Sequence, residues 1–155
     1  MALPSSGAAT ILALRAGPSA YDIELNISVA AGAAVQLGFA CGAETLASCG
    51  YSFQVSTTKD SAKVCHTGDR CTSFPLLPDE MQTAQVDGTT AVVLPVRVMT
   101  DTRSIDVFVA DGRAAYSGVI SYAKCANASC IVLASAKVSP SATVGAAAWG
   151  MQSIY

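Results

Sequence analysis

The chain has 155 residues, 52% of them hydrophobic and 13% charged, with a formal net charge of -2. That balance excludes disorder, which needs few apolar and many charged residues, and nine Lys and Arg without a cluster exclude nucleic acid as an expected partner. No apolar run reaches the ~18 residues of a membrane span, so the sequence reads as one soluble domain without a membrane partner.

Residues Ala8 to Leu14 are apolar, but they lack a basic flank and run into Arg15, so they predict a first strand, Ala9 to Arg15, rather than a signal peptide. A chain that begins almost inside its domain suggests a fragment or a truncated gene model. The second strand, Tyr21 to Val29, alternates most cleanly: Tyr21, Ile23, Leu25, Ile27 and Val29 against Asp22, Glu24, Asn26 and Ser28. One buried and one wet face is the pattern of an antiparallel sheet. After a small-residue turn the alternation resumes at Val35, Leu37, Phe39 and Cys41, and Gly42 to Gly50 reads as a loop. Tyr51 to Ser56 and Ala62 to Thr67 predict a hairpin around Thr57-Thr58-Lys59-Asp60. From Gly68 to Thr90 the periodicity stops, and Pro75, Pro78 and Gly88 mark a long connection with one short helical turn within Leu77 to Val86.

The most informative stretch follows. Leu94 to Met99 and Ser104 to Val109 alternate about a polar corner, Thr100-Asp101-Thr102-Arg103, and a third run begins after the turn pair Asp111-Gly112. Ile131 to Ala136 and a last strand from Thr143 to Ile154 close the chain. Short strands with regular turns and no long helix predict an all-β, jelly-roll-like sandwich of two antiparallel sheets forming a single domain over residues 1–155. Ile105, Val107 and Phe108 in the central strands, and Trp149 and Met151 in the last, are the expected core residues.

Six cysteines, Cys41, Cys49, Cys65, Cys71, Cys125 and Cys130, without any Cys-x2-Cys spacing point to disulfides rather than to zinc. Cys125 and Cys130 bracket a loop. Of the other four, the sequence favours Cys41 with Cys49 and Cys65 with Cys71, with Cys41 to Cys65 as the rival pairing. Two Asn-x-Ser sequons, at Asn26 and Asn127, agree with an oxidising route, so a secreted, cell-wall or vacuolar protein is expected, its targeting signal missing from this chain.

The central motif carries a resemblance. Leu94-x-Val96-x-Val98 with Asp101, Asp106 and Phe108 at their spacings, then Gly112-Arg113, resembles the core of the C-terminal β-sandwich module of glycoside hydrolase family 32, the invertases, levanases and inulinases. The family form is Leu-Arg-Val-Leu-Val-Asp-(Arg or His)-Ser-x-Val-Glu-x-Phe, followed by Gly-(Gly or Asp)-Gly-Arg. Thr102 departs from it where the basic residue stands, with Arg103 one place later, and Asp106 is a methylene shorter than Glu. The tail Trp149-Gly150-Met151-Gln152-Ser153 is similar to the family's closing Trp-x-Met-x-Ser, and Cys65 with Arg70 is similar to an element of the plant-type members. Matches run from mid-chain to the C-terminus, and the N-terminal third agrees in strand pattern only.

The resemblance implies an enzyme that cleaves β-fructofuranosyl bonds with retention and needs no cofactor. It also implies that this module packs against an N-terminal five-bladed propeller and contributes to contacts with a second copy or to the rim of the substrate cleft. The family's catalytic acids lie in propeller motifs, Trp-Met-Asn-Asp-Pro-Asn, Arg-Asp-Pro and Glu-Cys, that do not occur here. The residues themselves agree: a retaining pair needs two carboxyl groups ~5 to 5.5 Å apart, and the nearest candidates, Asp22 and Glu24, read as the wet face of a strand. Asp101 and Asp106 suit turn amides. His66 next to Cys65 cannot easily serve it, since adjacent strand residues point to opposite faces. The expected role is therefore a non-catalytic module with no metal site. Two alternatives are a free-standing lectin-like carbohydrate-binding module and a disulfide-stapled domain without a ligand.

Overall fold

A computed structural model describes residues 10–12, 20–41, 49–66, 70–80, 84–86, 89–101, 103–120, 131–136 and 142–150, with side chains for 22–39, 49–66, 70–80, 90–101 and 103–120. The strands are β1 (Thr10–Leu12), β2 (Ala20–Ala30), β3 (Ala34–Cys41), β4 (Cys49–Thr57), β5 (Ser61–His66), β6 (Arg70–Pro75), β7 (Ala84–Val86), β8 (Thr89–Asp101), β9 (Ser104–Val109), β10 (Ala114–Val119), β11 (Ile131–Ala136) and β12 (Ala142–Gly150). They form two antiparallel sheets, ordered β1-β11-β3-β4-β5-β6 and β10-β9-β8-β2-β12, with β7 on β8. The expected all-β sandwich is the fold.

Alternation places the core between the sheets. Ile23, Leu25, Ile27 and Val29 of β2 stand in register with Val98, Val96, Leu94 and Val92 of β8, and all are buried. From the first sheet Val35, Leu37 and Phe39 of β3 meet Val55, Phe53 and Tyr51 of β4, with Phe39 and Phe53 stacked at 5.8 Å. At ~1.5 to 3 kcal/mol for each large apolar side chain removed from water, these facing rows dominate the stability.

The chain passes from one sheet to the other at Ala31-Gly32. Gly32 takes φ +82° and donates its N–H to the Thr57 carbonyl at 2.8 Å. The buried Thr57 returns a hydroxyl hydrogen bond to the Ala30 carbonyl at 3.0 Å, so the corner's polar backbone is satisfied as it leaves water. Pro95 sits in the central strand β8, where a missing N–H normally breaks a ladder. Its carbonyl accepts from Ala110 N at 2.8 Å, so its nitrogen points to the same side, beyond the last β8–β9 register pair at Val96 and Val109. The ladder to β2 is untouched.

Several expectations change. The stretch from Gly68 to Thr90 holds β6, an edge strand in which only Phe74 is buried, so no alternation announces it. The expected helical turn is a single backbone turn at Leu77–Glu80, followed by β7. Phe108 is not a core residue: it is 36% exposed while Ile105, Val107 and Val109 point inward. Successive residues of a strand face opposite sides, so Val107 and Phe108 cannot both be buried in one core. β12 is described only to Gly150, so Met151 lies outside the described residues, as do Cys125, Asn127 and Cys130.

Candidate functional site

Two places gather polar and aromatic side chains: the outer face of the second sheet, and the inner edge where β5 meets β10. On the outer face, cross-strand pairing sets Glu24 of β2 opposite Arg97 of β8, and Arg97 opposite Phe108 of β9. Asp22, one step along the same face, holds Arg97 through Nε at 3.0 Å and Nη2 at 2.5 Å. This hydrogen bond, with the carboxylate charge, raises the guanidinium pKa further. Ala115 is the β10 partner of Phe108, and its small side chain leaves the ring open on that flank. The result is a cleft of about 570 Å³ lined by Glu24, Asn26, Arg97, Met99, Phe108 and Asp111.

The cleft is bounded by the β9–β10 turn. Ala110, Asp111 and Gly112 take φ of 52°, 54° and 87°, a run of left-handed residues that glycine adopts freely and the other two only under constraint. The constraint is visible: Ala110 is fully buried, and its carbonyl accepts from both the backbone N and Nε of Arg113 at 3.2 Å. Arg113 then reaches the other sheet. Its Nη1 donates to the Pro75 carbonyl at 2.8 Å, its guanidinium lies 4.7 Å from the centre of the Phe74 ring, and it forms an ion pair with Glu80. The Gly112-Arg113 pair in the sequence motif is therefore a turn and a clamp across the sandwich edge.

At the inner edge, His66 is 7% exposed and stacks on Tyr116 at 4.5 Å, with the Tyr51 hydroxyl against its Nδ1. With the phenol donating, the ring proton sits on Nε2, which is buried and has no partner among the described residues. Burial lowers the His66 pKa and raises that of Tyr51, so both stay neutral at pH 7. A Cβ added at Gly118 would meet the Tyr116 ring at 2.6 Å; the glycine makes room for this stack.

These arrangements place the candidate residues. Cys65 and Cys71 form a disulfide between β5 and β6, which removes the thiol that a Cys-His pair would need and excludes the rival Cys41 to Cys65 pairing. Cys49 is disulfide-bonded and stands in register with Cys41, whose side chain lies outside the described set. Asp22 is engaged by Arg97, and Glu24 stands two residues further along the exposed face. Asp101 and Asp106 both belong to the β8–β9 hairpin, Asp101 opposite Ser104 and Asp106 opposite Met99. Trp149 stands opposite Asp22 in register, and its side chain is not among those described. Asn26 is exposed on the cleft rim. Sequence reading missed Tyr51, Tyr116, Phe74 and Glu80, whose roles depend on partners far along the chain.

Comparison with known proteins was made on this basis. Glycosyl hydrolases family 32 C terminal matches residues 4–146. Among solved structures, the chain is similar to the exo-inulinase from Aspergillus awamori, with a TM-score of 0.57 and 15% identity over 100% of this chain and 28% of that one. It is also similar to the sucrose-6-phosphate hydrolase from Lactobacillus gasseri, with a TM-score of 0.56 and 16% identity over 100% of this chain and 28% of that one. At such identities the likeness is one of fold, and the chain spans less than a third of either relative. No curated protein matches the chain. With a family match over most of its residues and the two-sheet fold in place, the chain belongs to glycosyl hydrolases family 32, as its C-terminal β-sandwich domain.

Proposed function

We propose that this domain is the non-catalytic module of an enzyme that hydrolyses β-fructofuranosyl bonds in sucrose or fructans, and that it stabilises an N-terminal catalytic propeller. The observation that carries the reading is one of extent: the whole chain aligns with only 28% of an exo-inulinase structure and 28% of a sucrose-6-phosphate hydrolase structure. The chemistry of the domain supports a scaffold role. Hydrolysis with retention needs two carboxyl groups across one bond, whereas the Asp22 carboxylate is committed to Arg97. The disulfide and the exposed Asn26 sequon suit a secreted, cell-wall or vacuolar enzyme.

The test is the native polypeptide, captured from its source with an antibody to this domain and assayed on sucrose and inulin. A species much larger than 15.7 kDa that cleaves either sugar is the expected result. A species near 15.7 kDa without activity overturns the reading and leaves a free-standing module.

A further inference from the structure

The outer face of the second sheet has features that a scaffold does not require. A solvated sheet face is ordinarily covered by short polar and charged side chains. Here a phenylalanine ring stands exposed near the end of β9, between a charged residue on one neighbouring strand and an alanine on the other. We propose that this cleft is a carbohydrate-binding site, with Phe108 as the platform for one face of a sugar ring and Glu24, Arg97 and Asp111 as its hydrogen-bonding rim.

Five properties converge on a neutral sugar. The C–H-lined face of a furanose or pyranose ring is apolar and flat, and an aromatic ring exposed on one flank receives it by stacking. The rim offers both polarities that a hydroxyl needs, carboxylate acceptors at Glu24 and Asp111 and guanidinium donors at Arg97. Its charge disfavours the anionic alternatives: among the described residues lining the cleft, the one cation, Arg97, is already paired with Asp22, so a phosphate would meet the carboxylates of Glu24 and Asp111 without a free counter-charge from that lining. The groups are also held before any ligand arrives. Arg97 is fixed by two donors to Asp22, and Asp111 by the left-handed turn that Gly112 and the buried Ala110 anchor, which lowers the ordering cost of binding. A volume of about 570 Å³ lies within the roughly 300 to 1,000 Å³ of small-molecule sites.

The proposal rests on the fructosidase reading only for the choice of first sugar; the site itself does not depend on it. The experiment is calorimetric titration of the whole, unglycosylated 155-residue chain with an inulin-type fructo-oligosaccharide, and with cello- and manno-oligosaccharides of equal length. Unglycosylated chain is used because Asn26 lies on the rim, where its own glycan would compete. Saturable binding of the fructo-oligosaccharide, weakened about tenfold or more by Phe108→Ala and recovered by Phe108→Tyr, is the expected result. Binding of a gluco- or manno-oligosaccharide alone, with the same dependence on Phe108, upholds the site and counts against the fructan reading. No saturable binding of any of these sugars, or binding indifferent to Phe108→Ala, overturns the proposal and leaves the scaffold role standing.

Discussion

The two faces of the second sheet are built from the same strands and obey opposite rules. Inward, β2, β8 and β9 present Ile23, Leu25, Ile27, Val96, Val98, Ile105 and Val107, none more than 2% exposed. Outward, one residue away in each strand, they present Asp22, Glu24, Arg97, Asp106 and Phe108. Among the described residues, the one buried side-chain nitrogen or oxygen without a partner is His66 Nε2, on β5 of the facing sheet, whereas the outer face assembles a bidentate ion pair beside an exposed aromatic ring. Burial fixes the first face by volume, whereas the second carries an ion pair and an exposed ring. Stability and recognition are thus separated by the pleat, and a substitution on one face is expected to leave the other intact.

Paired phenylalanines break or sharpen this separation most strongly. Phe53 is 1% exposed and stacks on Phe39, so Phe53→Ala is expected to cost about 3 to 5 kcal/mol of unfolding free energy. Phe108→Ala removes a ring that is already partly in water and is expected to cost under about 1 kcal/mol. Urea denaturation of both variants measures the difference, and equal losses would erase the distinction between the faces. A smaller effect is expected at the sheet edge. The Cys65–Cys71 bridge closes a loop with a sequence separation of 6, for which chain entropy gives about 2 kcal/mol. The double substitution to serine is expected to lower the urea midpoint accordingly. Smaller again is Gly112→Ala: φ of +87° with no atom near the added Cβ isolates the backbone term at about 1 to 2 kcal/mol, and a loss near zero would mean the turn has relaxed.

Much of this was legible in the residues, and the limits have physical causes. β2 declared itself because every second residue from Ile23 to Val29 is large and apolar, and the Asp111-Gly112 turn because few residue pairs accept its dihedrals. The resemblance to family 32 rested on residues now seen as a hairpin, a turn and a clamp. Phe108 shows where hydrophobicity alone misleads: with Val107 buried, parity turns its neighbour outward. β6 escaped because an edge strand with four exposed residues before Phe74 carries no period. The cleft and the His66 stack were invisible for a different reason. Arg97 meets Asp22 across 75 residues, and His66 meets Tyr116 from the other sheet. No local pattern encodes such meetings, because they depend on which strands become neighbours.

The His66 cluster supplies the finest test, because it concerns one proton. Burial lowers the pKa of His66 below its ordinary 6.5 in the folded domain, so the unfolded chain binds a proton at a pH where the folded one does not. Stability linked to His66 is therefore fully present above pH 6.5, falls as the pH drops below that value, and stops falling once the folded pKa is passed. His66→Gln removes this dependence and keeps an amide to meet the Tyr51 hydroxyl. The expected signature is a flatter stability profile below pH 6.5, with carboxylate titration common to both proteins at the acid end. Gly118→Ala sharpens the assignment: by crowding the Tyr116 ring it opens the stack over His66, admits water and brings the folded pKa back toward 6.5, so the stability loss ends at a higher pH and is smaller, without altering the residue that titrates. A profile unchanged by either substitution would place the pH dependence elsewhere and make the buried nitrogen energetically silent.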